Sequence, residues 1–327
     1  MVVLAQAATL GVTWSLWQAR EEPALLPMVA MPSWLPASFG VPLLASLLVA
    51  LRWPRLGASL HALLLALAMV ADQTRLQPQL LSMALLVWAT SSSRSARVVG
   101  ALHLIALWFW SGLGKLTSVY FLTEGGAWLL GCAPDDAGAT GVLLAALLGS
   151  AEVMLAVAAL VPRWRGGAAI AAVSLHVGIA VFLSPLGRDA NPAVLPWNVA
   201  LAAAAPSLLA ALPAATAWPW ALPGHIAPRV AALLCLVLPV GFHLGWVDAP
   251  FALQVYTLNA SRAVLLRADG RVERLAELPR LRVQLPPVAR VQRAWFEHEA
   301  QPGDQLVLRD VRPLALLWGG HDELVRR

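Results

Sequence analysis

Lysine is almost absent from this 327-residue chain: one residue, Lys115, stands against 22 arginines. Charge is scarce altogether, since Asp, Glu, Lys and Arg make up 13% of the residues. Soluble domains carry roughly 25%. That shortage excludes both a highly charged disordered chain and an ordinary soluble enzyme. Tyrosine is nearly as rare, with 2 residues against 15 tryptophans. The 2 cysteines, Cys132 and Cys235, lie far apart, one in a loop and one inside an apolar run. Neither a disulfide framework nor a metal-ligand spacing is therefore present, and no metal is expected. The net charge of +5 is also diffuse, with 12 Arg against 9 acids from Pro250 onward. The dense basic stripe that binds phosphate backbones is missing, which argues against a nucleic-acid partner.

Apolar sequence fills the space that charge leaves. Hydrophobic residues make up 59% of the chain and the mean hydropathy is +0.69. Nine apolar runs can be read as spans: Val2–Gln18, Ser38–Leu51, Leu56–Ala71, Gln79–Thr90, Val98–Tyr120, Gly141–Val161, Gly167–Leu186, Leu195–Leu212 and Ile226–Trp246. The first is an anchor helix or an uncleaved signal sequence, with Trp14 and Trp17 at its interface end. The runs from Ser38 and Gln79 are short for about 30 Å of hydrocarbon, so eight spans are an equal alternative. Helix is the only regular structure available, because an open strand leaves its backbone unsatisfied in lipid. The expected fold is an all-α multi-pass membrane bundle of eight or nine spans over residues 1–249. A small β-rich extramembrane cap is expected over residues 250–327, and the lipid bilayer is the first partner.

Alternate loops carry Arg52 and Arg55, Arg94 and Arg97, then Arg163 and Arg165, with no acid among them. The intervening loops hold Glu21, Glu22, Asp72, Glu124, Asp135, Asp136 and Asp189. The positive-inside rule puts the arginine-only loops in the cytoplasm. With nine spans, the N-terminus is then cytoplasmic and the tail extracytoplasmic, as in a bacterial inner membrane; a eukaryotic lumen satisfies the same side. In the tail, Leu253–Leu258, Ala263–Arg267, Arg282–Leu285 and Gln305–Leu308 have strand-like content. Ala268-Asp269-Gly270 reads as a turn. The Pro/Ala-rich stretch Leu212–Gly224 reads as a loop between helices.

Ionisable side chains at bilayer depth cost several kcal/mol each, so the few present stand out. Lys115 lies in Trp108-Phe109-Trp110-Ser111-Gly112-Leu113-Gly114-Lys115-Leu116. Gly112 and Gly114 permit close backbone approach. In an arginine-dominated chain a lysine is the side chain whose burial can leave it a neutral base. Snorkelling to the headgroups is the other reading. His176 lies near the middle of its span, as a structural imidazole or a functional one. Glu152, one third of the way along its helix, must be protonated or paired. His61 and His103 lie near arginine-bearing ends, where interfacial packing is expected. Asp72 and Arg75, three apart, form either a salt-bridged turn or the polar rim of an outward-facing pocket. Asn198 begins another span on the same side.

At these residues the chain resembles the transmembrane module shared by vitamin K-dependent gamma-glutamyl carboxylases and bacterial horizontally-transferred-transmembrane (HTTM) domain proteins. The resemblance runs over roughly residues 40 to 260. Three stretches carry it: Asp72-Gln73-Thr74-Arg75-Leu76-Gln77-Pro78, Trp110-Ser111-Gly112-Leu113-Gly114-Lys115-Leu116, and Ser174-Leu175-His176. It implies that Lys115 is the base acting on reduced vitamin K. Oxygenation of that quinol then yields a strong base that deprotonates glutamate, and the carbanion takes up carbon dioxide. That role is carried to Lys115 only, with His176 a candidate partner in the same cavity. The residues themselves add an expected quinol pocket near Trp108, Trp110, Gly114 and Glu152, with Asp72, Arg75 and Asn198 on the substrate side. Two departures stand out. The family's paired lysine is single here, with Gly114 in the other position, and about 75 residues replace a large lumenal region.

Two functions compete on this sequence. One is a carboxylase-like enzyme in which a lipophilic reduced quinone enters from the bilayer and Lys115 acts as general base. The other is a non-catalytic membrane subunit or assembly factor whose tail docks a partner protein. A transporter ranks last, because neither inverted repeats nor matched broken helices are seen.

Overall fold

The computed structural model describes residues 1–29, 38–90, 93–213, 226–275, 277–317 and 322–327. Most of Leu212–Gly224 lies outside them. The chain is mostly helical, with a small C-terminal sheet. Its helices, in order, are α1 (Val2–Val12), α2 (Gly40–Arg52), α3 (Pro54–Ala71), α4 (Pro78–Ala89), α5 (Arg94–Leu116), α6 (Gly126–Leu130), α7 (Pro134–Leu160), α8 (Arg165–Leu183), α9 (Leu195–Ala210) and α10 (Ile226–His243). Proline opens α3, α4 and α7, where its missing N–H costs nothing.

Five stretches are long and apolar enough to cross a membrane: Pro54–Ala71, Arg94–Leu116, Pro134–Leu160, Pro162–Leu183 and Pro192–Ala210. Four shorter apolar helices accompany them: Val2–Val12, Gly40–Arg52, Pro78–Ala89 and Arg229–His243. The shortening has a local cause. At about 1.5 Å per residue, the 12 residues of α4 rise only some 18 Å. The residues before it, Gln73–Arg75, form a buried 3-10 turn rather than a solvated loop. The bundle also turns apolar side chains outward: Val41, Leu48, Leu143, Leu147, Met154, Ile170 and Leu233 are all exposed. Such a surface suits lipid and not water.

Helix α5 is central. Residues from Ala96 to Lys115 are buried along nearly its whole length. It packs on α7 at glycine: a Cβ on Gly112 would stand 2.6 Å from the Gly149 carbonyl and 2.9 Å from the Glu152 Cβ. The main core runs through the bundle from Leu10 and Trp17 to Leu201 and Leu208. It extends into the tail at Leu281, Val283 and Val291.

The tail holds β1 (Arg262–Leu266), β2 (Val272–Arg274), β3 (Glu277–Leu278), β4 (Val283–Gln284), α11 (Ala289–Glu299), β5 (Gln305–Arg309), α12 (Pro313–Leu317) and β6 (Asp322–Arg326). Four of the strands make an antiparallel sheet of order β2-β1-β5-β6, with Leu265 opposite Leu306. The expected turn at Ala268-Asp269-Gly270 joins β1 to β2, and Gly270 takes a positive φ of 86°. Alternate residues Ala263, Leu265, Leu306 and Leu308 close on Phe296 of α11 as a second core. Leu253–Leu258 is not a strand, contrary to its composition. Leu253, Tyr256 and Leu258 all have positive φ, near 55°, a conformation no strand allows. The segment instead folds into the end of the bundle. The cap rests on that end through Ser15 to the Arg280 carbonyl, Gln77 to the Gln284 carbonyl, and Glu124 to Arg262.

Candidate functional site

The α5–α7 glycine contact brings Lys115 against Glu152. The Lys115 amine lies 2.8 and 3.0 Å from the two Glu152 carboxylate oxygens, 2.5 Å from the Ser111 Oγ and 3.1 Å from the Val255 carbonyl. Ser111 donates its own proton to the same carbonyl at 3.0 Å. Lys115 and Glu152 are 4% and 5% exposed, so this is a buried ion pair and not a snorkelling lysine. The carboxylate beside the amine is Glu152, which the sequence required to be protonated or paired.

A cavity of about 320 Å3 opens beside the pair. Trp108, Trp197, Phe182 and Trp128 wall it with rings, and Ser111, His176, Asn198 and Tyr256 add polar atoms. Trp128 stacks edge-on against Phe182 at 5.0 Å and is itself 41% exposed, so this wall reaches the protein surface. The Trp108 indole donates to His176 Nε2 at 2.9 Å, and His176 Nδ1 lies 2.9 Å from the Asn198 Oδ1. The Asn198 amide nitrogen donates to the Val194 carbonyl at 3.0 Å, which fixes its oxygen toward the imidazole. His176 is thus a neutral ring protonated at Nδ1, with both nitrogens committed.

Five of the expected site residues therefore share one cavity: Lys115, Glu152, Trp108, His176 and Asn198. The others do not join it. Trp110, on another face of α5, donates to the Cys235 carbonyl at 2.8 Å. Gly114 faces the tail, where a Cβ would overlap the Gln254 carboxamide. Asp72 and Arg75 are fully buried elsewhere, which removes them from any pocket rim. Asp72 accepts from Arg20 at 2.5 Å, from the Thr74 hydroxyl at 2.8 Å and from the Thr74 and Leu26 backbone N–H groups at 3.1 and 3.3 Å. Arg75 donates to the Leu16 carbonyl at 2.9 Å between the Trp17 and Phe39 rings. His61 and His103 are likewise buried and not interfacial, bonded to Ser46 and Gln6, and to Ser82.

Sequence reasoning missed Ser111, Val255 and Arg20. Ser111 had a signal, since it stands four residues before Lys115 on one helical face. Val255 had none, because its role is played by a carbonyl delivered by a chain reversal. A second cavity of about 630 Å3 lies between bundle and cap, and Trp197, Val255 and Tyr256 line both spaces. Tyr256 is held in this partition by Asn191, 3.0 Å from its hydroxyl, and burial pushes its phenol well above the usual value. At the rim of the second cavity, hydrogen bonds from Arg262 hold the Glu124 carboxyl below the ordinary carboxylate range, with Arg274 adding to the effect.

Comparisons of the chain with protein-family models, curated proteins and solved structures find no match.

Proposed function

We propose that the chain is a carboxylase-like integral membrane protein, akin to the HTTM-domain proteins. In this reading it binds a reduced, vitamin K-like quinone beside Lys115. Five long apolar helices and four shorter ones support a nine-span course, or eight if one short helix stays inside the bundle. The cap touches the loops that carry acids, and the arginine-only loops alternate with them. That pattern supports a cytoplasmic N-terminus and an outward tail, as in a bacterial inner membrane.

One observation carries the reading: the only lysine in the chain lies on the wall of an aromatic cavity beside a buried carboxylate. The residues fit the group. At about 320 Å3 the cavity is at the small end of the roughly 300–1,000 Å3 usual for ligand sites, enough for a ring. Trp108, Trp197 and Phe182 would bracket an aromatic head, and the exposed Trp128 wall leaves a way out for an apolar tail. When bound, the quinol supplies reducing power for oxygenation. Trp108 and His176 lock each other and shape the floor. Asn198 orients His176. Lys115 takes a ring hydroxyl proton as general base: the O–H bond breaks, an N–H bond forms, and the electron pair stays on oxygen.

Saturable quenching of tryptophan fluorescence by menadione, with the protein in lipid nanodiscs, tests the binding step. Quenching that weakens in Trp108→Leu supports it, and quinone copurifying with the wild type adds to it. Absence of both removes the quinol from the proposal. A specific observation favours a second reading. Every proton of the Lys115 ammonium already has a partner, as a purely structural tie between α5 and α7 requires. The chain would then be a membrane subunit whose cap docks a partner protein, and purification in mild detergent would yield a stoichiometric partner in place of quinone.

A further inference from the structure

We propose that Glu152 is the positioning residue that governs the charge on Lys115, and that His176 takes no part in moving this proton. The inference rests on the reading of Lys115 as a base and deepens it.

An ammonium has three protons to donate and no lone pair. Three groups meet it here: the Ser111 Oγ, the Val255 carbonyl and the Glu152 carboxylate, all within 3.1 Å. Ser111 already donates its hydroxyl proton to Val255, so toward Lys115 it offers a lone pair only. A backbone carbonyl is not a base. Of the three, the carboxylate alone can accept and keep a proton. When Lys115 gives one up, an N–H bond breaks and an O–H bond forms on Glu152. The pair passes from charged to neutral without any net charge crossing the apolar interior, which would be costly. The freed lone pair faces the new Glu152 O–H, and rotation about the Cε–Nζ bond turns it toward a ring hydroxyl in the cavity.

The titratable groups near the amine, taken element by element, are few. Helix α7 contributes Glu152, α8 contributes His176, and the segment after α10 contributes Tyr256. The nitrogens of His176 are both occupied, by Trp108 and Asn198. The Tyr256 hydroxyl is bonded to Asn191. Among the described titratable residues, Glu152 alone touches the amine.

The single lysine makes a direct test possible. Protein in nanodiscs is methylated with formaldehyde and borane over a series of pH values. Peptide mass spectrometry then reads the two primary amines, Lys115 and the N-terminus, the latter as internal standard. Glu152→Gln keeps an oxygen in place but removes the counter-charge, which disfavours the ammonium. Lys115 labelling at pH 7 should rise about tenfold and its pH profile should move to lower pH, the displacement of one unit that a tenfold change implies. Glu152→Asp should return the profile toward wild type, and His176→Gln should leave it in place. A profile unchanged in Glu152→Gln, or a rate raised equally at every pH, overturns the proposal, since the latter reports access alone. So does a His176→Gln profile displaced as far as that of Glu152→Gln. Should Glu152→Gln fail to insert, Glu152→Ala takes its place: the same displacement to lower pH supports the proposal, and an unchanged profile overturns it. Labelling needs no turnover, so persistent turnover in Lys115→Ala would dismiss the base reading independently.

Discussion

The protein buries charge in two places, and they are built differently. At the cap end, Asp72 is enclosed by Arg20, Thr74 and Leu26, and Arg75 lies between two aromatic rings with carbonyls at its donors. Neither Asp72 nor Arg75 lines the cavity beside Lys115 or the one between bundle and cap. At the last turn of α5, Lys115 and Glu152 are nearly as buried, but one side of the pair faces an aromatic cavity. Buried charge is costly in either setting. Space beside the charge, not burial, is what separates a tie from a site. The Asp72 cluster pins the segment after α1 to the end of α3, whereas the Lys115 pair leaves room for a ligand.

The largest effect is expected where charge is most enclosed. Asp72→Asn leaves Arg20 and Arg75 without their shared anion, and removing one partner of a buried pair costs about 3–5 kcal/mol. Thermal unfolding in detergent should show a steep fall in Tm, and a shift of only a degree or two would mean that the carbonyls suffice. Lys115→Met should lose about 3 kcal/mol, because Glu152 is then unpaired yet borders open space that can admit water. The double variant Lys115→Met with Glu152→Leu should recover most of that loss, since well-packed apolar replacements of buried pairs are often neutral. Recovery would show that the pair is not needed for folding and sharpen its contrast with Asp72. Failure to recover would make both clusters structural ties.

Gly114 tests the seam between bundle and tail. A side chain there meets Gln254 and Thr257. Gly114→Leu should therefore cost about 1–3 kcal/mol by overpacking and displace the Gln254–Tyr256 segment. Limited proteolysis within residues 253–258 would report that displacement; unchanged cleavage would mean the cap shifts as a unit.

What the sequence made legible follows from periodicity and charge. Lys115 and Glu152 stood out because ionisable residues are rare in apolar runs, and a helix four residues per turn puts Ser111 under Lys115. The hairpin at Asp269-Gly270 was readable from its turn residues. Val255 was not, because a backbone carbonyl has no side-chain signature, and the left-handed residues that deliver it are Leu and Tyr rather than Gly. Of the two readings of Asp72 and Arg75, the salt-bridged turn holds, at 3.5 Å, and the pocket rim does not; what the sequence hid was the second partner Arg20, 52 residues earlier in the chain. Membership of Asp72 and Arg75 in one helical turn was visible; the aromatic wrapping by Trp17 and Phe39 was not.

The smallest effect belongs to the third kind of ion pair, at the rim where cap meets bundle. Glu124 accepts two hydrogen bonds from Arg262, at 2.9 and 2.8 Å, while Arg262 lies over the Tyr120 ring at 4.2 Å. The pair holds the Glu124 carboxyl below its ordinary value of 4.5. A carboxyl depressed in the folded state contributes stability above its ordinary value, and that contribution fades as pH falls toward the depressed one. Because the two side chains are 23% and 27% exposed, solvent screens them, and about 1 kcal/mol at most is expected. Glu124→Gln should thus be slightly less stable than wild type at pH 7, with the gap closing as pH falls below 4.5 and narrowing in high salt. A gap that stays constant through that range would mean that Glu124 holds the cap by shape and not by charge, and would place this rim with the Asp72 tie instead of apart from it.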